Sequence, residues 1–375
     1  MRTTHRTCLI ALLVFALPNL ARADDSWVGR VVVMKETGVK FGHTDSKTGQ
    51  EVYVGTLDKM MYKVLADQEG WLRVQHNDKK GWFRKDKAVP VEDAVAYFSE
   101  QIAANPKNLL AYAHRAAALV WKGDIDAALQ DYDEAIRLNP KAAPAWNNRG
   151  AAWFTKRDFD RAISDFNKAI ELDPKYVEAY NYRGGALHSK KEFDKAIGDF
   201  NKAIELEPKF VEAYANRATL WLDKNEPDKA IKDYDEVIRL DPSYIEAFNN
   251  RGVAWRQKKQ FDKALRDYDA ALQIDPKSIP ALNSKAWLLA TCPDAKFRDG
   301  KKAVEVARQA CELTEWKNNQ CLDTLAGAYA EAGQFDEAVK WMTKALEDQE
   351  YAKQAGDMGR KLLEQYKQKK PFRDG

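Results

Sequence analysis

Cysteine and histidine are scarce in this chain, four and five residues respectively among 375. No His-Glu-x-x-His, Cys-x-x-Cys, Gly-x-Ser-x-Gly, phosphate-loop or Gly-x-Gly-x-x-Gly pattern occurs. The usual sequence marks of metal-assisted hydrolysis, thiol redox chemistry, serine hydrolysis and nucleotide binding are therefore missing. His43, His76, His114 and His188 are scattered and share no ligand spacing, so no metal or cofactor is expected. Charge of one sign is missing too, with Lys+Arg at 60 and Asp+Glu at 57. The three excess cations, Arg2, Arg6 and Arg22, lie in an acid-free stretch over residues 1–23. A chain neutral beyond that stretch has no bulk attraction to nucleic acid or to an anionic membrane. Long apolar runs are also absent. The run Cys8 to Leu17 is half of the roughly twenty residues that span a hydrocarbon core.

That short run has its own reading. Arg2 and Arg6 precede it, and Ala21-Arg22-Ala23 follows it, which is the pattern of an export signal cleaved before Asp24. The expectation is an exported chain, periplasmic or secreted. Export turns cysteine into a redox question. Cys292, Cys311 and Cys321 remain beyond the signal, and an odd number cannot all pair. Cys311 and Cys321 flank a helix–turn–helix connection, so a disulfide there and simple burial as small hydrophobes both stay open.

What the chain has in abundance is repetition. Pro106, Pro140, Pro174, Pro208, Pro242 and Pro276 follow one another at intervals of 34 residues. Around them recur DYDEAIRLNP, DFNKAIELDP, DFNKAIELEP, DYDEVIRLDP and DYDAALQIDP. The prolines end one helix of each unit. Asp126, Asp160, Asp194, Asp228 and Asp262 are expected to cap that second helix, helix B, at its N-terminus. Gly150, Gly184, Ala218 and Gly252 are small, so that the first helix, helix A, can lie close against Ala162, Ala196, Ala230 and Ala264. One unit cannot bury its own apolar face, and stacked neighbours can. Arg115, Arg149, Arg183, Arg217 and Arg251 are each followed sixteen residues later by Asp131, Asp165, Asp199, Asp233 and Asp267. In the next two units the pair becomes Lys285 with Val306 and Leu325 with Trp341. Arg and Asp come and go together, which predicts an ion pair inside each regular unit.

With Trp146, Gly150, Trp153, Ala162, Phe166, Ala169 and Pro174 standing in its pattern, the chain resembles the tetratricopeptide repeat family. The expected fold is mainly α, a helical solenoid of antiparallel helix pairs over 92–350. It would hold a half-unit, five regular repeats at 109–278 and two irregular ones, and a capping helix or tail at 351–375. Extra residues at 292–300 read as a longer helix A with a looser turn. The resemblance implies a groove lined by helix A that takes extended peptides or partner helices. His114, Asn148, Tyr182, Asn216, Asn250 and Ser284 fill the family's groove position, with Asn147, Asn181, Asn249, His188, Arg256 and Trp287 beside them.

Residues 24–91 have a different grammar. GRVVVMK, EVYVG, MYKVLAD, GWLRVQH and KGWFRK read as short strands between polar turns, together a small all-β barrel. Gly70-Trp71-Leu72-Arg73-Val74 followed by Gly81-Trp82-Phe83 is similar to bacterial SH3-like domains. That resemblance implies binding of cell-wall peptide or protein segments, with Tyr53, Tyr62, Trp71 and Trp82 as groove aromatics. The resulting expectation is a non-catalytic, exported adaptor that binds a protein or peptide. The alternatives are a regulator recruiting peptidoglycan enzymes, an enzyme with its site in 292–321, and a purely structural array.

Overall fold

The computed structural model describes residues 26–44, 51–57, 60–68, 70–76 and 79–374; the expected signal at 1–23 lies outside them. Eight strands come first: β1 Val31–Met34, β2 Val39–Thr44, β3 Glu51–Leu57, β4 Met61–Lys63, β5 Ala66–Gln68, β6 Trp71–His76, β7 Lys79–Arg84 and β8 Ala88–Pro90. They pair antiparallel in two sheets, one of order β4-β1-β8 and one of order β3-β2-β7-β6-β5. Among the described residues these sheets do not close into the expected barrel. A bulge between Phe41 and Gly42 shifts the register of β2 on β3, and such an inserted residue bends the strand. Two strands escape the sequence reading. VKFGHT carries a Gly inside it, and the three residues of β8 are too few to show alternation.

Helix α1 (Val91–Ala104) follows, and then the pairs α2 Leu109–Lys122 with α3 Ile125–Leu138, α4 Ala143–Thr155 with α5 Phe159–Leu172, and α6 Val177–Ser189 with α7 Phe193–Leu206. The series continues with α8 Val211–Asp223 and α9 Pro227–Leu240, then α10 Ile245–Gln257 and α11 Phe261–Ile274. Last come α12 Ile279–Thr291 with α13 Gly300–Leu313, α14 Asn319–Glu331 with α15 Phe335–Glu347, and α16 Gln349–Lys367. The even-numbered members of the pairs are helix A and the odd-numbered ones helix B. The described residues form two compact units that divide between residues 213 and 214.

In the first unit β1 is buried on both faces. Val32 and Met34 enter the core between the sheets with Phe41, Leu72, Val74 and Phe83. Val31 and Val33 point the other way, onto Val91, Ala94 and Phe98 of α1. The half-unit α1 is thus a shared wall between sheets and repeats. β8 runs into it at Pro90–Val91 without a linker residue.

In the pairs α4–α5, α6–α7 and α10–α11, glycine sets the distance between helices. A Cβ on Gly150 would sit 2.7 Å from the Phe166 ring, one on Gly184 2.7 Å from Phe200, and one on Gly252 2.5 Å from Tyr268. Helix B ends before each proline because the residue preceding it is driven into extended backbone. Asn139 and Asp173 have φ −144° and −135°. Helix B starts two residues earlier than a cap at Asp126 or Asp160 implies. Asp124 and Asp158 therefore cap α3 and α5 through their side chains, and Asp126 and Asp160 lie inside the first turn. There they pair with Lys156 and Lys190 at the end of the next helix A. Asp228 pairs likewise with Lys258, Asp262 pairs with Arg266 one turn on, and Asp194 lies in the first turn of α7.

The ion pairs form in all five regular repeats. Each arginine donates from Nε and Nη2 to the two oxygens of its aspartate, at 2.8 Å and at 2.6–2.7 Å. The aspartates are buried, and the bonds hold Arg115, Arg149 and Arg183 above their ordinary pKa. A third contact was not foreseen. Arg149 Nη1 reaches Asp133, Arg183 Nη1 reaches Asn167 and Arg251 Nη1 reaches Asp235, at 2.6–2.7 Å. All three partners sit on the B helix of the preceding repeat. Lys285 keeps only this outer bond, to Asp269 at 2.5 Å, because Val306 stands where the inner aspartate would be.

The 292–300 stretch is not a longer helix. α12 has 13 residues, as do α10 and α14, and a 3-10 turn at Ala295–Phe297 takes up the excess. Arg298 ties it down, bonding the Cys292 and Pro293 carbonyls and Glu331.

Replacing Asp199 by Asn removes the charge that Arg183 is built against, and is expected to cost about 3 kcal/mol. Replacing the exposed outer partner Asn167 by Ala should cost about 1 kcal/mol. Urea midpoints of the two variants check this; equal shifts would refute the inner pair's dominance.

Candidate functional site

The predicted groove residues fall into two registers on helix A. His114, Asn148, Tyr182, Asn216 and Asn250 form one. His114 and Asn216 are buried in it, while Asn148, Tyr182 and Asn250 are half-buried. Asn147, Asn181 and Asn249 form the other and are all buried. Tyr182 stacks on Phe166 with ring centroids 5.8 Å apart, and burial pushes its pKa up to about 12.

The buried register carries an unusual polar feature. The Oδ1 atoms of Asn147, Asn249 and Asn283 are buried and find no hydrogen-bond partner among the described residues. The amide nitrogens of Asn147 and Asn249 donate to their neighbours Asn148 and Asn250 at 3.4 and 3.1 Å. That choice leaves the acceptor oxygens unmet. A buried carbonyl without a donor costs about 1–3 kcal/mol. Asn283 is absent from the sequence-predicted set, although its place 34 residues after Asn249 marks it.

The histidines are part of the packing. His114 lies against Phe98 at 5.2 Å, its Nδ1 buried without a partner among the described residues, and burial holds its pKa down to about 4. His188 is buried beside Phe193. Trp287, half-buried on α12, is already engaged. Its indole nitrogen donates to Asp374 at 3.0 Å, and its ring meets Phe372 at 5.9 Å. Arg256 pairs with the same Asp374.

On the sheets the four aromatics separate. Tyr62 is buried in the sheet core and is no groove residue; the β4 register places it opposite Val32, inward. Tyr53 stands on β3, and its side chain lies outside the described residues. Trp71 is exposed and Trp82 half-buried, on strands whose register sets Trp71 opposite Arg84 and Arg73 opposite Trp82. These four residues share the outer face, since Leu72, Val74 and Phe83 fill the inner one. The Arg73 guanidinium lies 6.0 Å from the Trp82 ring centroid.

Cys292, Cys311 and Cys321 are free and buried. Burial pushes the last two thiols up to about 12 and about 11, far from the thiolate that nucleophilic chemistry needs. Among the described residues no group of His, Cys, Asp and Glu is arranged to hold a metal ion. No described helix is long and apolar enough to cross a membrane.

Comparison with known proteins agrees with the repeat. A tetratricopeptide repeat model matches residues 143–176, 177–210, 211–244 and 245–278. A TPR repeat model matches 118–157, and a further tetratricopeptide repeat model matches 320–350. Among solved structures, yeast Tom70 is 24% identical with a TM-score of 0.53, over 74% of this chain and 58% of its own. A chain of the APC/C hetero-tetramer Cut9-Hcn1 is 14% identical with a TM-score of 0.55, over 64% of this chain and 46% of its own. These two share the fold. YrrB, described as a TPR protein with an unusual peptide-binding site, is 26% identical over 51% of this chain and 98% of its own, with a TM-score of 0.40. No curated protein matches the chain in sequence.

The lowered pKa of His114 makes stability depend on pH. The folded imidazole stays neutral down to about 4, whereas the unfolded one protonates near 6.5. Stability is therefore fully present above pH 6.5 and is lost as pH falls through 4, by about 3 kcal/mol in total. Urea unfolding of wild type and His114→Gln at pH 7 and pH 4.5 checks this. The variant should lose markedly less on acidification, and parallel losses would contradict the assignment.

Proposed function

Because the chain belongs to the tetratricopeptide repeat family, we propose that it is a binding scaffold whose helix-A side receives an extended protein or peptide segment. The observation that carries this reading is the unmet amide oxygens of Asn249 and Asn283 on neighbouring helices A of one unit, a feature that Asn147 repeats in the other. An extended segment brings backbone N–H groups, which can meet those oxygens once the Asn side chains turn toward the surface. The neighbouring Asn148 and Asn250 amides, half-buried, offer both donor and acceptor to the same backbone.

The reading extends to location and to a second contact. The export signal expected over residues 1–23 would carry the scaffold out of the cytoplasm. The sheets would act as an SH3-like module, with the outer-face pair Trp71 and Trp82 and the cations Arg73 and Arg84 turned to a wall peptide or protein segment. Two modest contacts on one chain raise avidity without catalysis. The protonated, buried thiols speak against an enzyme site in 292–321.

The test is capture of partners from a cell-envelope extract by wild type and by a variant carrying Asn147→Ala and Asn249→Ala. Each change removes the unmet carbonyl together with the amide donor to Asn148 or Asn250, at a cost to the free protein of about 1 kcal/mol, so recovery is compared at a temperature where both proteins are folded. Partners held by the wild type should be lost by the variant. Equal recovery at that temperature would move the function to the sheets or the helix-B side.

A further inference from the structure

The segment after α16 behaves as a ligand of its own repeats. Lys369, at φ 55°, ends the helix with left-handed backbone, its N–H and that of Lys370 returning to the carbonyls of Tyr366 and Gln365. Pro371 prevents the helix from resuming, and residues 371–374 run without regular structure. They lie along α10, α12 and α14, all helix A. The Phe372 ring meets Trp287. Arg373 pairs with Glu331 at 2.7 Å, on a carboxylate that also holds Arg298. The Asp374 carboxylate takes hydrogen bonds from Arg256 and from the Trp287 indole. The Asp374 N–H donates to the Thr291 carbonyl at 2.8 Å, one of the end-of-helix acceptors that the fold leaves open on α12.

We propose that residues 370–374 are a ligand held in cis on the α10–α12–α14 face. The site they fill takes from a partner an extended segment bearing an aromatic, a cation and a carboxylate in that order. The inference rests on the helix-A side being the binding side, and adds the chemistry of what binds there and the device that guards it. Three successive side chains meet three complementary groups, an indole face, a carboxylate and a guanidinium–indole pair, and the backbone is read once. That is recognition of a short linear motif. The strap is also built to leave. Arg256 and Asp374 remain 30% and 41% exposed at the side chain, so their pairing is weak, and the tether adds a high effective concentration to the contacts that hold the segment.

The test uses a fluorescein-labelled synthetic peptide spanning residues 369–375, followed by anisotropy on the full chain. Wild type, a strap-released variant (Phe372→Ala with Asp374→Ala), and the released variant with Arg256→Ala added are compared, and their melting temperatures are measured alongside. The released variant should bind the peptide about tenfold or more tighter than wild type, whose site is mostly occupied. Adding Arg256→Ala at the half-exposed end of α10 should reverse that gain. Equal affinity for wild type and released chain, or no binding to the released chain, overturns the strap. So does concentration-dependent dimerisation of wild type abolished by release, since the segment would then act between copies. If Asn147- and Asn249-dependent capture survives while the peptide fails, only the strap falls; failure of both removes the binding side itself.

Discussion

The structure hangs on a guanidinium that serves two repeats. An arginine presents its N–H groups in a rigid planar fork, and in each regular repeat one edge of that fork is spent on a buried aspartate of the same repeat. In Arg149, Arg183 and Arg251 the remaining nitrogen crosses to the B helix of the repeat before. The same guanidinia lie 4.8–5.6 Å over Trp146, Tyr180 and Phe248, three residues earlier on helix A. A single side chain thus ties helix A to its helix B, to the preceding repeat and to an aromatic ring one turn earlier on helix A. Stability in such arrays is a sum of repeat and nearest-neighbour terms, and here a polar contact carries part of the neighbour term.

Toward the C-terminal end the solution changes from polar to apolar. Lys285 keeps the outer bond, the inner aspartate gives way to Val306, and Leu325 replaces the arginine altogether. In their place stands a broad core of Leu282, Leu322, Leu325, Met342, Leu362 and Tyr366, with Cys311 and Cys321 packed inside. Buried ion pairs exchange for well-packed apolar groups at little cost. α16 belongs to that core through Tyr351, Leu362 and Tyr366, so its charged sequence covers an apolar stripe.

The repeat, its helix pairs and the inner ion pairs were legible because each rests on a spacing: 34 for the unit, sixteen for Arg to Asp. What escaped rests on geometry without a residue signature. The A-to-B turns need left-handed backbone, and Gly123 and Gly333 supply it in two of them; Arg157, Lys191, Asn225 and Lys259 adopt it at φ 57–64° with nothing in the sequence to announce it. The caps were displaced by two residues because Asp124 and Asp126 are equally plausible acids until the helix start is fixed. Of the site, the Asn registers and Trp287 were visible as periodic positions. Which register is buried, and that residues 372–374 lie on Trp287, depend on packing between distant segments. Tyr62 was mistaken for a groove aromatic because strand alternation alone does not say which face is the core.

These features divide the labour of the molecule. Arginine, aspartate and glycine make the repeats rigid, and the asparagine rows stand on that rigid support with acceptors left open. Site-specific photocrosslinking tests this division most directly, with benzoylphenylalanine placed at Asn148 or Asn250 on helix A, or at the exposed Ser164 or Lys195 on helix B. The account predicts that partners captured from envelope extract crosslink from the two helix-A positions and not from the two on helix B. Crosslinks from Ser164 or Lys195 with none from Asn148 or Asn250 would contradict it.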